Sequence, residues 1–234
     1  MCGRYTLTTP ITAIAERFNA TPECSYSPRY NIAPEDELAI IDAERSTRIT
    51  TATWGLIPPG NDRNEALINA RIETVTERPA FREAYDKRRC LVIVDGFYEW
   101  VETDDGKQPY RVHRTDDEPF AVAGIWEPWQ PSTTQTALTA FEDDEQPSES
   151  TEEQRRVAIL TTEPNDLIGD LHHRMAVILP PDRRRDWLAG TLDQSVLESP
   201  YPDDGLEAYP VTTAVNDPTN EDPTVIEPLG PRRR

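Results

Sequence analysis

A cysteine directly follows the initiator methionine in the opening segment Met1-Cys2-Gly3-Arg4. Initiator methionine is normally removed when the second residue is small, and its removal would leave Cys2 with a free α-amine beside its thiol. The pKa of an α-amine is about 7.7–8.0, so a useful fraction of it is neutral at pH 7. Such an aminothiol can form a Schiff base with an aldehyde and close a thiazolidine ring, or act as a thiolate nucleophile with its own amine as base. Alternatively, Cys2 is a small buried side chain behind a retained methionine.

Three later segments carry side chains that could assist such a nucleophile. Asn69 and Arg71 would face one side of an extended segment, where the amide can orient a carbonyl or amine and the guanidinium can clamp a phosphate. Glu99 lies between aromatic residues at the end of a hydrophobic strand, and burial of a carboxyl favours its protonated form, which suits proton transfer. His172 titrates near neutrality and would share a face with Arg174 on an extended segment. Each also has an ordinary structural explanation: a surface salt bridge, a solvent-facing glutamate or a capping histidine.

The elements that must position these residues are short strands and a few short helices. The predicted strands cover residues 38–41, 48–54, 91–100, 109–113, 120–126, 157–161 and 175–179, with a turn at Asp104-Asp105-Gly106 and an irregular stretch from Pro28 to Pro34. The predicted helices are an amphipathic one that begins at Thr9-Pro10, a short one at residues 166–171, and one at residues 181–189 that ends at Gly190. Because strands and helices do not alternate regularly, we expect an α+β fold: a single domain with a mixed or antiparallel, twisted, barrel-like β-sheet.

The domain is expected to span residues 1–228 and to be followed by a loose C-terminal tail at residues 229–234. Residues 130–154 are rich in Ser, Thr, Asp, Glu and Gln, which predicts an acidic mobile insertion. Three cysteines (Cys2, Cys24 and Cys90) are an odd number without metal-ligand spacing, so we expect neither a disulfide framework nor a metal. No phosphate loop or dinucleotide fingerprint occurs in the sequence, and we expect no cofactor.

The net charge of the chain is -19, and only two of its 24 basic residues are lysines. Acid excess and lysine scarcity occur together along the whole length, which favours adaptation to a salty (halophilic) cytoplasm over an acidic tail or a surface that repels nucleic acid. In such a medium the Debye length falls to about 3 Å at 1 M salt, so surface charges repel each other weakly. No apolar run approaches the roughly 20 residues of a membrane helix, and no signal segment begins the chain. We therefore expect a soluble, cytoplasmic, monomeric protein in which a local arginine cluster can still hold phosphate.

Ten short segments, in order and from residue 2 to about Pro228, resemble the SOS response-associated peptidase (SRAP) family. They are Met1-Cys2-Gly3-Arg4-Tyr5, Tyr30-Asn31-Ile32-Ala33-Pro34, Trp54-Gly55-Leu56-Ile57-Pro58, Asn69-Ala70-Arg71-Ile72-Glu73-Thr74, Arg89-Cys90-Leu91, Asp95-Gly96-Phe97-Tyr98-Glu99-Trp100, Ala123-Gly124-Ile125-Trp126, Leu160-Thr161-Thr162, His172-His173-Arg174-Met175 and Val215-Asn216. Each segment alone is a modest signal, whereas ten in the same order are specific.

The resemblance implies an enzyme that processes abasic sites in single-stranded DNA by forming a covalent DNA–protein crosslink, with lyase-type activity a further option. In that family Cys2, exposed by removal of Met1, forms a thiazolidine with the ring-opened sugar and so shields the lesion in the DNA damage response. The resemblance further implies that Asn69 positions the N-terminus and the sugar. Glu99 would transfer protons in ring opening and in crosslink reversal, and His172 would assist Schiff-base formation and protonate the sugar oxygen. The peptidase name would then refer to removal of Met1 alone.

The same resemblance implies a DNA-binding surface. Arg4, Arg71 and Arg174 would hold the phosphates that flank the lesion. Pro34 and Trp54 would form an apolar platform near the bases, because unpaired bases stack on such surfaces at about 1–3 kcal/mol per base. The expected partner is single-stranded DNA that contains abasic sites, with no membrane partner.

Two other functions are compatible with parts of the sequence. Glutamine amidotransferases with an N-terminal nucleophile also begin Met-Cys-Gly, but Arg4-Tyr5 does not continue the start of that family. A non-covalent single-strand-binding module is the other alternative, and in that case Cys2→Ser would leave DNA association intact.

Overall fold

The computed structural model describes residues 3–60, 65–104, 106–130 and 154–233. Cys2, Asp105, most of the predicted acidic insertion (131–153) and Arg234 therefore lie outside the described residues. The strands of the described residues are β1 (Tyr5–Leu7), β2 (Thr21–Pro22), β3 (Arg29–Ile32), β4 (Glu37–Asp42), β5 (Arg48–Trp54), β6 (Asn69–Arg71), β7 (Arg89–Val94), β8 (Gly96–Thr103), β9 (Gly106–Arg114), β10 (Phe120–Trp129), β11 (Gln154–Thr162), β12 (Met175–Ala176), β13 (Ile178–Leu179) and β14 (Leu206–Pro210). The α-helices of the same ranges are α1 (Ile11–Phe18), α2 (Pro79–Lys87), α3 (Asp166–Gly169), α4 (Arg184–Ala189) and α5 (Gln194–Glu198). Short 3-10 helices cover Ile72–Thr74, Pro181–Arg183, Asp203–Gly205, Thr213–Asn216 and Pro223–Ile226.

Five of the strands close into a barrel. Antiparallel pairs join β5 to β4, β4 to β7, β7 to β10 and β10 to β11. Parallel pairing of β11 with β5 completes the ring, and β2, β6, β12 and β13 extend it. Closure gives each of these strands two neighbours and removes the unpaired edge that an open sheet would present. The predicted α+β fold, a single domain with a mixed, barrel-like sheet, is confirmed.

A second sheet, wholly antiparallel, packs beside the barrel in the order β14-β9-β8-β1-β3. Aromatic side chains join the two sheets. The ring of Tyr5 on β1 lies 5.1 Å, centroid to centroid, from the ring of Trp54 on the barrel strand β5, and 6.3 Å from that of Phe97 on β8. All three side chains are fully buried. The N-terminal strand is therefore part of the core.

The single strand predicted for Leu91–Trp100 is wrong in one respect, because it is two strands separated by Asp95. β7 belongs to the barrel and β8 to the second sheet. The carboxylate of Asp95 accepts hydrogen bonds from Thr6, Thr8 and Thr9 at this junction. A hydrophobic run interrupted by one acidic residue does not reveal that the chain changes sheets there.

Two further segments differ from expectation. The stretch Pro28–Pro34, predicted to be irregular, contains β3, which pairs with β1. The predicted strand Met175–Leu179 is divided at Val177 into β12, which pairs with β11, and β13, which pairs with β10. Val177 donates its N–H to the carbonyl of Leu160, so the divided strand fills the space between two barrel strands.

The helices lie where they were predicted, but they begin or end at different residues. Pro10 is the residue before α1 rather than its first residue, and the hydroxyl of Thr9 donates to Asp95 instead of capping the helix. The helix predicted for Pro181–Ala189 is a 3-10 turn followed by α4, which ends at Gly190 in the left-handed conformation (φ 74°). No helix in the described ranges is long and apolar enough to cross a membrane.

The C-terminal residues contact β14. The N–H of Leu229 donates to the carbonyl of Pro210, and Arg233 pairs with Ala208. Leu229 and Arg233 are therefore hydrogen-bonded to β14, although the sequence favoured a loose tail at residues 229–234. The C-terminal segment thus pairs with the backbone groups on one edge of β14. Its charged sequence does not predict this pairing.

Gly124→Ala should destabilise the barrel because a Cβ there would lie 2.9 Å from Cys90 Sγ and Val92 Cγ2. We expect a loss of about 1–3 kcal/mol in the free energy of unfolding, measured by urea denaturation. Gly169→Ala in α3 is the control, since its Cβ would meet only Pro164 Cγ at 3.9 Å. That variant should be neutral or slightly more stable than the original. Equal stability of the two variants would contradict the barrel packing.

Candidate functional site

The N-terminal strand β1 runs beside β8. Tyr5 lies opposite Phe97 in this antiparallel pair. The N–H of Tyr98 also donates to the carbonyl of Arg4 at 3.0 Å, so the pairing continues beyond β1 toward the N-terminus. The start of the described chain is thus attached to the strand that carries the predicted acid–base glutamate.

Continuing this register by two positions puts Gly3 opposite Glu99. Residues directly opposite in an antiparallel pair have Cα atoms about 4.5–5.5 Å apart. Cys2 lies outside the described residues, but it is bonded to Gly3 and so adjoins this position. Glu99 is 2% exposed, which confirms its predicted burial. Alternate residues of a strand share a face, so Glu99 projects to the same side as Phe97, toward the barrel.

Trp54 has a different place from the one predicted. Its side chain is fully buried, its ring packs on Tyr5, and its Nε1–H donates to the carbonyl of Ile68 at 2.9 Å. A ring without exposed surface cannot serve as a stacking platform for bases, so this expectation is at odds with the structure. Trp54 instead connects β1 to the residue that precedes Asn69.

Asn69 and Arg71 lie on β6, which confirms that the segment is extended. β6 pairs in parallel with β11, with Asn69 opposite Ile159 and Arg71 opposite Thr161. Ala70 is buried, whereas Asn69 is half-buried and Arg71 is exposed, so the two polar side chains share the outer face. Arg71 makes no hydrogen bond or salt bridge within the described part of the chain, and its guanidinium is available to a phosphate.

Arg174, predicted to hold a phosphate, is buried and engaged in a two-pronged ion pair. Its Nη1 and Nη2 donate to the two carboxylate oxygens of Glu73 at 2.7 and 2.8 Å, and Nη2 also donates to the carbonyl of Thr161 at 2.7 Å. Burial opposes ionisation of Glu73. The hydrogen bonds and charge of Arg174, a backbone hydrogen bond and the charge of Arg71 together outweigh burial and lower the pKa of Glu73. Arg174 therefore ties the loop around His172 to the residue that follows β6.

His172 is half-buried and lies next to this ion pair. Its Nδ1 is 3.1 Å from both the N and the O atom of Arg174. Burial lowers the pKa of His172 more than the hydrogen bond to the Arg174 carbonyl raises it. The imidazole is therefore mainly neutral at pH 7, and Nδ1 can accept the N–H of Arg174 while Nε2 carries the proton.

Arg4 has mainly partners within the protein. Its Nη1 donates to Asn31 Oδ1 at 2.6 Å and to the carbonyl of Val215 at 2.9 Å, and Nη2 lies 3.4 Å from the carbonyl of Asn216. Burial lowers its pKa. Pro34, in contrast, is exposed in the turn after β3, as an apolar surface for bases requires.

Three further polar residues hold this region together, and no sequence pattern predicted them. Asn31 is fully buried and donates to the carbonyls of Val215, Asp217 and Asn220. Glu73 holds Arg174, and Asp95 holds the N-terminal segment. All three lie inside segments that carry the family resemblance, but an amide or carboxyl that binds backbone groups has no distinguishing pattern in one sequence.

Glu99 is thus a buried carboxyl on the strand that pairs with the start of the described chain. The half-buried amide of Asn69 and the neutral imidazole of His172 are linked to each other through β6 and the Glu73–Arg174 ion pair. These groups can exchange protons with a carbonyl compound and orient it. Among the described residues, no three side chains of His, Cys, Asp or Glu converge as a metal-binding group.

Residues 1–218 match the family described as SOS response associated peptidase (SRAP). The chain belongs to this family. It is 37% identical to the abasic site processing protein YoqW of Bacillus subtilis (strain 168), over 97% of this chain and 99% of the relative. It is 26% identical to the abasic site processing protein YedK of Escherichia coli (strain K12), over 98% of this chain and all of the relative. A solved structure of a protein from Bacteroides thetaiotaomicron matches this SRAP fold with a TM-score of 0.79 and 25% identity, covering 97% of this chain and 100% of that one.

The contrast between Arg174 and Arg71 can be tested by alanine substitution. Arg174→Ala leaves Glu73 partly buried and without its partner, and should lower the free energy of unfolding by about 2 kcal/mol, an estimate reduced for the partial exposure of Glu73. Arg71→Ala should change that free energy by no more than about 0.5 kcal/mol. Denaturant unfolding measures both, and similar losses in the two variants would contradict the assignment.

Proposed function

We propose that this SRAP protein processes abasic sites in single-stranded DNA by bonding covalently to the lesion through Cys2, after Met1 has been removed. The names of its relatives support action on abasic sites. The observation that carries the covalent part is the pairing of the N-terminal segment with β8, in which Gly3 comes opposite the buried Glu99. A nucleophile at the residue before Gly3 would have Glu99 as a nearby acid–base group.

The chemistry proceeds in two bond-forming steps. The neutral α-amine of Cys2 attacks the C1′ aldehyde of the ring-opened sugar. The resulting carbinolamine takes up one proton from a general acid and loses water to give an iminium ion. The thiolate Sγ then attacks the iminium carbon and closes the thiazolidine ring. One C–N bond and one C–S bond form, one water leaves, and the thiol proton passes to a base.

Ring opening of the sugar needs two proton transfers. Glu99 accepts the proton of the C1′ hydroxyl. His172, once protonated on both ring nitrogens, donates its Nε2 proton to the ring oxygen and becomes neutral. Asn69 orients the amine and the sugar from the neighbouring strand. The same groups act in the reverse direction when the crosslink is reversed, as microscopic reversibility requires.

DNA contacts come from the surface around β6. Arg71 binds a phosphate next to the lesion, since its guanidinium makes no hydrogen bond or salt bridge among the described residues. Arg4 contributes through Nη2, the more weakly engaged of its terminal nitrogens. Pro34 offers an exposed apolar surface to a neighbouring base. These local contacts oppose the repulsion between DNA and a chain of net charge -19.

Formation of the thiazolidine protects the DNA strand. A free abasic aldehyde undergoes strand cleavage by β-elimination, and an amine that stops at the Schiff base accelerates that reaction. Attack by the thiol consumes the iminium ion, so the adduct no longer follows this route. The peptidase activity of the family name corresponds here to hydrolysis of the Met1–Cys2 bond.

The test is denaturing gel electrophoresis of the Met1-processed protein mixed with a labelled single strand that carries one abasic site, in high salt. We expect a heat-stable shifted band that is absent with undamaged DNA. Cys2→Ser should abolish the band, because a serine cannot form the thiazolidine. Cys24→Ser is the matched control and should retain it.

A band that survives Cys2→Ser would contradict the covalent role of Cys2. So would the lack of any band when mass spectrometry confirms that Met1 is absent. A glutaminase assay and a non-covalent DNA-binding assay would then separate the remaining alternatives.

A further inference from the structure

A buried carboxylate binds the N-terminal segment at the end of β1 that lies away from the N-terminus. Asp95 is 5% exposed and precedes Glu99 by four residues. Its Oδ1 accepts the hydroxyl of Thr6 at 2.6 Å, and its Oδ2 accepts the hydroxyls of Thr8 at 2.8 Å and Thr9 at 3.0 Å. Oδ2 also accepts the backbone N–H groups of Thr8 and Thr9. One side chain therefore binds three residues of the N-terminal segment.

An arginine completes this centre. Nη2 of Arg111 lies 3.3 Å from Oδ1 of Asp95 and 3.2 Å from the hydroxyl of Thr6, and Nη1 donates to the hydroxyl of Tyr209. Burial alone would raise the pKa of Asp95, but Arg111 and the threonines outweigh it and lower that pKa. Residue 96 is glycine for a physical reason, since a Cβ there would lie 2.9 Å from Nε and Nη2 of Arg111.

The β-ladder alone specifies the position of β1 weakly. β1 has three residues, its ladder with β8 comprises two residue pairs, and its register with β3 is irregular between Tyr5 and Leu7. A slip of one residue would shift the strand by about 3.3 Å and turn its side chains to the opposite face. The hydrogen bonds to Asp95 resist this slip, because only one register brings all three threonine hydroxyls to the same carboxylate.

We propose that Asp95 and Arg111 are positioning residues for the N-terminal nucleophile. By locking the register of β1 against β8 they hold Gly3, the residue to which Cys2 is bonded, opposite Glu99. This inference rests on the proposed function. Neither residue touches the DNA or the reacting atoms, and each acts through the strand.

Such a role predicts an effect on rate rather than on affinity. Of the residues assigned to DNA contacts, Arg71 and Pro34 are not bonded to Asp95. Arg4 belongs to the N-terminal segment, but its guanidinium is held by Asn31 and the carbonyl of Val215, and these bonds do not involve Asp95. The covalent step instead depends on alignment of amine, thiol and aldehyde, and a misplacement of about 1 Å can slow such a reaction by about 100-fold. A purely structural carboxylate would alter stability without this separation.

Single-turnover crosslinking of Met1-processed protein, measured over a range of concentrations of single-stranded DNA with one abasic site, gives a maximal rate and a half-saturating concentration. We expect Asp95→Asn to lower the maximal rate about tenfold or more, with less than about a twofold change in the half-saturating concentration. Asp42→Asn is the matched control. Asp42 is a fully buried carboxylate paired with Arg155 at the end of β4, and it makes no contact with the N-terminal segment. Both of its parameters should stay near those of the original protein.

A milder variant covers the case in which Asp95→Asn does not fold. Thr8→Val removes one hydroxyl bond to Asp95 from a half-buried side chain and keeps the backbone bond. Its maximal rate should fall about two- to threefold. An unchanged maximal rate in a folded Asp95→Asn or, failing that, in Thr8→Val would overturn the inference, as would an equal loss in Asp42→Asn.

Hydrogen exchange of the Tyr98 amide separates this inference from the proposed function. That amide donates to the carbonyl of Arg4, so it reports pairing of the N-terminal segment without any DNA. It should exchange faster in Asp95→Asn or Thr8→Val than in Asp42→Asn. If the original protein forms no crosslink, the proposed function fails while this measurement still decides whether Asp95 holds the register, and unchanged exchange overturns it.

Discussion

The structure depends on holding the beginning of the chain as an inner strand of a sheet. Chain termini usually fray because nothing pairs with them. Here β1 lies between β8 and β3, and the core aromatic residues Tyr5, Trp54 and Phe97 pack across it. The two strands that carry Glu99 and Asn69 are both connected to this segment, the first by backbone pairing and the second through Trp54. The segment to which residue 2 is bonded is therefore packed into the core of the protein.

Many arginines of this acidic chain stabilise the fold by pairing with carboxylates. Several buried or nearly buried arginines form ion pairs with carboxylates, among them Arg174 with Glu73, Arg111 with Asp95, Arg155 with Asp42, and Arg88 with Glu127. Such pairs add little net stability compared with apolar packing, but loss of one partner is costly, so they discriminate strongly between correct and shifted arrangements. This explains why, of three arginines assigned to DNA phosphates from the sequence, Arg71 alone has no hydrogen bond or salt bridge in the described ranges.

The elements that were predictable are those with a strong local pattern. Strands β4, β5, β10 and β11 contain apolar residues in runs or in alternation, and a turn with glycine separates β8 from β9. Closure of the barrel by the parallel β11–β5 pair was not predictable, because no local pattern identifies which distant strands meet. The burial of Trp54 and Arg174 was not predictable for a related reason. The sequence does not distinguish a core tryptophan from a stacking one, or a buried guanidinium from a phosphate ligand. The acidic insertion, the domain boundary at residue 228 and the adaptation to salt stay predictions.

The most direct measurement for the covalent role of Cys2 is the intact mass of the protein–DNA adduct, formed without borohydride and followed by peptide mapping. We expect the mass of the chain without Met1 plus that of the abasic strand, less one water, with the modification at residue 2. A thiazolidine has this mass and survives denaturation without reduction. An adduct that is stable only after borohydride reduction would be a Schiff base, and one that maps to another residue or retains Met1 would also contradict the role of Cys2.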